Sequence, residues 1–180
     1  MRRLILTLTI LATTQIPAAN ADQQKLDVLG LFTGMPSNAV AELLRNTKWR
    51  CRNVNDPIIG KKPDPITGDY SFNCDTQIGQ LNFTLAGSLA EIPVANLRLF
   101  FESSEPIENV ARSITQQYGK EPNSPGGDTG YEWSLDNGSK LRLSKQMSGY
   151  MLDLYSAPII EANRKAKATN DAARNPTPKF

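Results

Sequence analysis

Apolar residues recur along this chain with two different periods, and the alternation between them predicts a mixed architecture. In residues 36 to 46, Val40, Leu43 and Leu44 fall on one helical face, and Pro36 fits only as the residue that opens a short helix. Period-two segments follow at Trp49 to Val54, Tyr70 to Cys74, Leu81 to Leu85 and Ala95 to Phe101, the pattern of antiparallel strands. Between the first two, Asp56-Pro57-Ile58-Ile59-Gly60 and Asp64-Pro65-Ile66-Thr67-Gly68 are turn signals close enough together to predict a protruding loop. A second helix is predicted over 106 to 118, where Ile107, Val110, Ala111, Ile114 and Tyr118 share a face. Ser104 or Glu105 is placed to cap its start and Gly119 to end it.

Strands return at Tyr131 to Leu135 and Lys140 to Leu143, and their register decides the turn between them. A two-residue Asn137-Gly138 turn would set Leu135 opposite Lys140 and Trp133 opposite Arg142, apolar against charged on one face. A three-residue loop, Asp136-Asn137-Gly138, sets Trp133 opposite Leu141 and Tyr131 opposite Leu143, with Gly138 free to take the left-handed position, and is the predicted form. A last strand at Tyr150 to Tyr155 leads through Pro158 into an alanine-rich helix over 159 to 167, basic on one side. The final dozen residues carry too little apolar content to order, so disorder is expected there. The predicted fold class is α+β, an antiparallel sheet of six to eight strands with two or three helices on one face. It is expected to form one globular domain over 22–160, followed by a basic C-terminal helix and tail over 161–180.

The beginning of the chain has a different character. Arg2 and Arg3 precede an apolar run from Leu4 to Ala12, and Ala19-Asn20-Ala21 offers small residues where a signal peptidase reads. Residues 1–21 are therefore expected to be a cleaved secretory signal, with the mature protein starting at Asp22. The apolar run is far below the roughly 20 residues of a permanent anchor, and no other stretch is long enough to span a bilayer. A lipoprotein would need a cysteine just after this run, and the first cysteine is Cys51, so lipidation is not expected. Periplasmic or secreted localisation follows.

The formal charge of +2 belongs to the signal: taking Arg2 and Arg3 from the 20 Lys and Arg leaves 18, against 18 Asp and Glu. A formally neutral chain does not suggest a nucleic-acid partner. The two cysteines, Cys51 and Cys74, lie in strand-like segments and are expected to pair as a structural disulfide in an oxidising compartment. A redox role would favour the Cys-x-x-Cys spacing that lowers one thiol pKa.

The chain contains no histidine. That removes Ser/His/Asp and Cys/His catalysis, imidazole bases and most zinc sites. Neither a phosphate-cradling glycine loop nor a dinucleotide fingerprint occurs. No catalytic, metal or cofactor-binding residue is assigned, and no cofactor is expected. Glu102, Glu105 and Glu108 suit the start of a helix better than catalysis, and Asp64, Thr67 and Asp69 lack the rhythm of a dedicated calcium loop. Asp56, Lys61, Lys62, Asp64 and Asp69 make up a contact loop, and Arg164, Lys165 and Lys167 a basic stretch able to meet an anionic lipid or partner. Trp49 and Trp133 are expected in the core.

Gly34-Met35-Pro36-Ser37-Asn38-Ala39-Val40, followed by Leu43-Leu44, resembles the Gly-Met-x-x-x-x-Val helix start of the small outer-membrane assembly lipoproteins (SmpA/OmlA). Domains like the beta-lactamase inhibitor protein share that start. The element ending Tyr118-Gly119-Lys120-Glu121-Pro122 resembles the helix-then-Tyr-Gly-x-Pro unit of small exported proteins of this type. The resemblance implies short helices laid on an antiparallel sheet, a chain turned at Gly34, Met35 buried before the helix and Val40 packed one turn in.

The functional expectation is an exported, non-catalytic binding module whose partner is another envelope or extracellular protein, its oligomeric state left open. Two alternatives stand beside it: a histidine-free hydrolase using paired carboxylates on cell-wall glycans, and a secreted effector or inhibitor.

Overall fold

The computed structural model describes residues 27–52, 66–125 and 130–174. The elements in chain order are α1 (Ser37–Asn46), β1 (Arg50–Arg52), β2 (Asp69–Asp75), β3 (Gly79–Ala86), β4 (Val94–Phe101), α2 (Ile107–Tyr118), β5 (Ser124–Pro125), β6 (Tyr131–Ser134), β7 (Ser139–Gln146), β8 (Gly149–Ser156) and α3 (Ala157–Arg174). The strands form one eight-stranded sheet in the order β1-β2-β3-β4-β8-β7-β6-β5, antiparallel throughout. The α+β class and the upper end of the expected strand count are thus observed.

Cross-strand register makes the sheet two-faced. Phe72, Phe83, Leu97, Leu154, Leu141 and Trp133 stand in one row, each opposite the next. Cys74, Leu81, Leu99, Leu152, Leu143 and Tyr131 make the neighbouring row on the same face. Because paired residues in an antiparallel ladder point the same way, this face is continuously apolar and must be covered. Val40 of α1 and Ala111 of α2 are buried in the same cluster, with Leu43, Leu44, Ile107, Val110, Ile114 and Tyr118 packed around them. Trp133 is buried and Trp49 packs against the core, as expected.

The local readings at Gly34 and Asn137 hold. Gly34 has φ +86°, Met35 and Val40 are buried, and Gly34 and Met35 exchange backbone hydrogen bonds with Val94 at 2.8 and 2.9 Å, tying the entry of α1 to the start of β4. The β6–β7 hairpin pairs Trp133 with Leu141 and Tyr131 with Leu143. Its loop closes through Leu135 N–H donating to Ser139 O at 2.9 Å, with Gly138 at φ +76°. Cys51 and Cys74 are paired directly across β1 and β2, their sulfurs bonded at 1.96 Å.

Other expectations need correction. The strand predicted over Trp49 to Val54 is seen as Arg50–Arg52, and its later residues lie outside those described. At α2 the N-cap is Pro106, and neither Ser104 nor Glu105 caps it. Glu105 instead accepts a bond from Asn109 Nδ2 at 3.1 Å. The C-terminal helix starts at Ala157 and continues to Arg174, so the boundary expected at 160 falls inside it and residues 169–174 are helical. Helix α3 also departs from the expected layering. It runs across the end of the sheet, and its one buried residue is polar: Asn163 accepts from Ser88 N–H at 2.8 Å and donates to Thr67 O and Asp69 Oδ1 at 3.2 and 2.7 Å. The hydrogen bonds of the Asn163 amide, rather than a buried apolar stripe, dock this helix.

Candidate functional site

The face of the sheet opposite α1 and α2 is polar, and its central row crosses seven strands: Arg52, Asn73, Asn82, Arg98, Asp153, Arg142 and Glu132. Charges alternate along its second half. Arg98 donates to Asp153 through both Nε (2.8 Å) and Nη2 (2.9 Å), a fork-to-carboxylate pair. That bond is the main reason the Arg98 guanidinium is held above its usual pKa, burial opposing it. Lys140 donates to Glu132 at 2.8 Å, and the same carboxylate raises the ammonium pKa.

Flanking rows are Ser71, Thr84, Asn96, Tyr155, Lys140 and Ser134 on one side, and Asp75, Gln80, Phe100, Met151 and Ser144 on the other. Within these three rows the only apolar or aromatic side chains are Phe100, Met151 and Tyr155. Phe100 and Met151 stand directly opposite each other, and all three are half-buried. Tyr155, unlike Tyr131 and Tyr150, thus belongs to the open face and not to the core.

The Phe100 end of this face opens into a cleft of about 340 Å³ that wraps round the end of β4. Two hairpin tips form its walls: Ile78, Gly79 and Gln80 from the β2–β3 tip, and Gln146, Ser148, Gly149 and Tyr150 from the β7–β8 tip. Phe100, Phe101 and Glu102 form the floor. The tips reach β4 only because both carry glycine there. A Cβ at Gly79 would stand 1.9 Å from Phe100 O, and one at Gly149 would stand 2.4 Å from Phe101 O. Thr76 stiffens one tip, donating from Oγ1 to Gly79 O at 2.7 Å and accepting from Gly79 N–H at 3.2 Å. The Tyr150 hydroxyl donates to Glu105 O at 2.7 Å, which fixes its ring 5.9 Å from that of Phe101.

The residues singled out from sequence scatter relative to this site. Ala19, Ala21, Asp22, Asp56, Lys61, Lys62 and Asp64 lie outside the described residues. Asp69 is bonded to Asn163 and serves to anchor α3. Cys51 and Cys74 staple the β1 edge. In the basic stretch, Arg164 and Lys165 pair with Glu161, at 2.9 and 3.6 Å, and Lys167 pairs with Asp171. Arg164, foremost, holds the Glu161 carboxyl below its usual pKa, and Glu161 raises that of Arg164. Internal pairing thus offsets much of the charge this helix offers a partner. Of the three glutamates, only Glu102 reaches the cleft. Among the described residues, no group of three or more Cys, Asp or Glu is placed to hold a metal ion, and no helix is long and apolar enough to cross a membrane.

Sequence reasoning missed Arg98, Asp153, Arg142 and Phe100 as neighbours. Their alternation within each strand was visible, but their alignment depends on the β4–β8 pairing, between strands far apart in sequence. Fold and site together define an α+β domain in which no described helix covers one face of the sheet and a cleft lies at one end of that face. Compared with protein-family models, curated proteins and solved structures, the chain matches none.

Proposed function

We propose that this protein is an exported, non-catalytic binding module that holds another envelope protein against the open face of its sheet. One observation carries the reading: Phe100, Met151 and Tyr155 sit half-buried on a face otherwise made of charged, amide and hydroxyl side chains, across the sheet from α1 and α2. Polar surroundings with a few aromatic or methionine anchors are the composition of a recognition surface. The paired cysteines suit an oxidising compartment, and the signal-like first 21 residues and the Gly34–Val40 resemblance to exported proteins agree with it.

The hydrolase alternative needs two carboxylates about 5–9.5 Å apart in a cleft. Glu102 is the sole carboxylate among the described residues lining this one. An inhibitor or effector would use the same face on a different partner, and is separated from an envelope role by recovery from the medium rather than the periplasm.

The test is site-specific photocrosslinking in cells, with the crosslinker at Tyr155 or Met151 and, as control, at Arg112 on the exposed side of α2. Discrete adducts from the sheet positions and none from Arg112 are expected. Equal labelling from all three, or none from the sheet, overturns the reading.

A further inference from the structure

The cleft at the end of β4 has a chemistry different from that of the charged face beside it, and it points to a small ligand. Its described polar side chains are two amides, Gln80 and Gln146, one hydroxyl, Ser148, and one carboxylate, Glu102. Gln146 Nε2 bonds Ser144 Oγ at 3.3 Å, which holds that amide at the rim. Its apolar part is the ring of Phe100, extended onto the sheet by Met151 opposite it, together with Phe101 and Tyr150, whose hydroxyl is already used on Glu105. The glycines leave backbone in place of side chain at the narrowest points.

Elimination narrows the ligand class. Among the described lining residues, an anion would meet Glu102 and no cation, and a divalent metal would find one carboxylate where it needs several oxygen ligands. A cationic side chain would find that one carboxylate and the aromatic rings but would leave the amide and hydroxyl donors unused. A neutral molecule rich in hydroxyl groups fits the whole set. Amides and hydroxyls both donate and accept, as sugar hydroxyls do, a lone carboxylate accepts two hydroxyl protons, and an aromatic ring suits the C–H face of a pyranose. The volume, about 340 Å³, lies at the small end of the range of ligand pockets.

We propose that this cleft binds the end of a neutral glycan chain, with Gln80, Gln146, Ser148 and Glu102 bonding its hydroxyls and Phe100 packing on a ring face. With one carboxylate the site holds the sugar without cleaving it. The proposal rests on the exported reading only for where such a glycan is met. The lining residues of the cleft include neither crosslinking position, Tyr155 or Met151, although Met151 stands opposite Phe100.

The test uses the full mature chain, oxidised, in amide-resolved NMR titrations with the N-acetylglucosamine trimer and maltotriose as neutral probes, and trilysine and inorganic phosphate as charged ones. Saturable shifts confined to 78–80, 100–102 and 146–150 are expected with a neutral glycan below about 10 mM. Ser148→Trp, on an exposed hairpin tip, fills the cleft and should weaken binding at least about tenfold. Glu102→Gln loses one of the two acceptor oxygens and should weaken binding by about three- to tenfold. The proposal is overturned if neither glycan shifts these residues, if trilysine or phosphate binds there more tightly, or if Ser148→Trp leaves affinity unchanged. Crosslinking from Tyr155 that survives Ser148→Trp would separate the two roles, because failure of the glycan site would leave the protein-binding face standing.

Discussion

Arg98 and Asp153 face each other across β4 and β8 with both guanidinium–carboxylate bonds formed, at 2.8 and 2.9 Å, and they join the two halves of the sheet on its uncovered side. β4 and β8 are the only pair of neighbouring strands that links β1–β4 to β5–β8. On the core face the same junction is made by Leu97 with Leu154 and Leu99 with Leu152. The Arg98 side chain remains 44% exposed while that of Asp153 is 11% exposed, so solvent screens the pair from one side. Arg98→Ala should therefore cost only about 1 kcal/mol, read as a lower urea midpoint with unchanged slope. Asp153→Ala should cost less, because the guanidinium it leaves is 44% exposed and stays solvated, whereas Arg98→Ala strands a carboxylate that is only 11% exposed. Equal costs would mean that the pair contributes by packing and not by charge.

The disulfide closes a loop with a sequence separation of 23 residues and pins an edge strand whose described part is three residues long. Removing it by the double substitution Cys51→Ala/Cys74→Ala should cost roughly 3 kcal/mol in the chain-entropy picture. Chemical denaturation of the oxidised, reduced and substituted proteins checks this. Loss of β1 pairing with β2–β4 intact is the expected structural consequence in hydrogen exchange.

High pH provides a separate probe of the helical layer. Burial first, and the charge of Asp27 second, push the Tyr118 phenol up to about 12, against about 10 in an unfolded chain. Between those values the unfolded state has released the proton and the folded state has kept it, so stability falls as pH rises from about 10 to 12 and is unaffected by this group below that window. The loss attributable to Tyr118 should reach about 2 kcal/mol. Its measure is the difference between the parent and Tyr118→Phe in urea midpoints at about pH 9 and about pH 11.5. The parent should lose more, since the lysines titrate alike in both.

The parts of this architecture that were legible in the sequence are those whose residues decide the structure locally. Trp133 and Leu141 gave away the hairpin loop, because only one turn length puts apolar against apolar. Ile107 to Tyr118 announced α2 through its spacing, and Gly119, at φ +67°, ends it. The last turns of α3 were not legible, since that helix is docked by the amide of Asn163 and carries no apolar stripe to betray its length. The cleft escaped for a related reason. It is made where two hairpin tips, remote in sequence, meet the end of β4, and its glycines are marked only by what they approach.

The anchoring of α3 leads to a local prediction. Asn163→Ala removes the acceptor used by Ser88 N–H and the amide that donates to Thr67 O and Asp69 Oδ1, the hydrogen bonds of the one buried residue in this helix. Amide exchange over 157–174 should accelerate strongly, by about 2 kcal/mol of lost protection, while β3, β4 and β8 keep theirs. If exchange accelerated only slightly and equally everywhere, α3 would be held by contacts other than Asn163.

Two glycine substitutions separate close approach from backbone conformation. Gly119 has φ +67° and open space around a would-be Cβ, so Gly119→Ala meets only the left-handed penalty of about 1 kcal/mol. Gly79→Ala places a methyl 1.9 Å from the carbonyl oxygen of Phe100, and that carbonyl belongs to a central strand that cannot recede without breaking its pairing with β3 or β8. A cost of at least about 3 kcal/mol is expected, together with shifted Phe100–Glu102 amide resonances. The same substitution should deform the cleft, so it offers a second way to abolish glycan binding, though less cleanly than Ser148→Trp. Similar thermal shifts for the two variants would mean that the hairpin tip bends away from β4 at little cost, and that the cleft is not held to a single shape by the glycines at its walls.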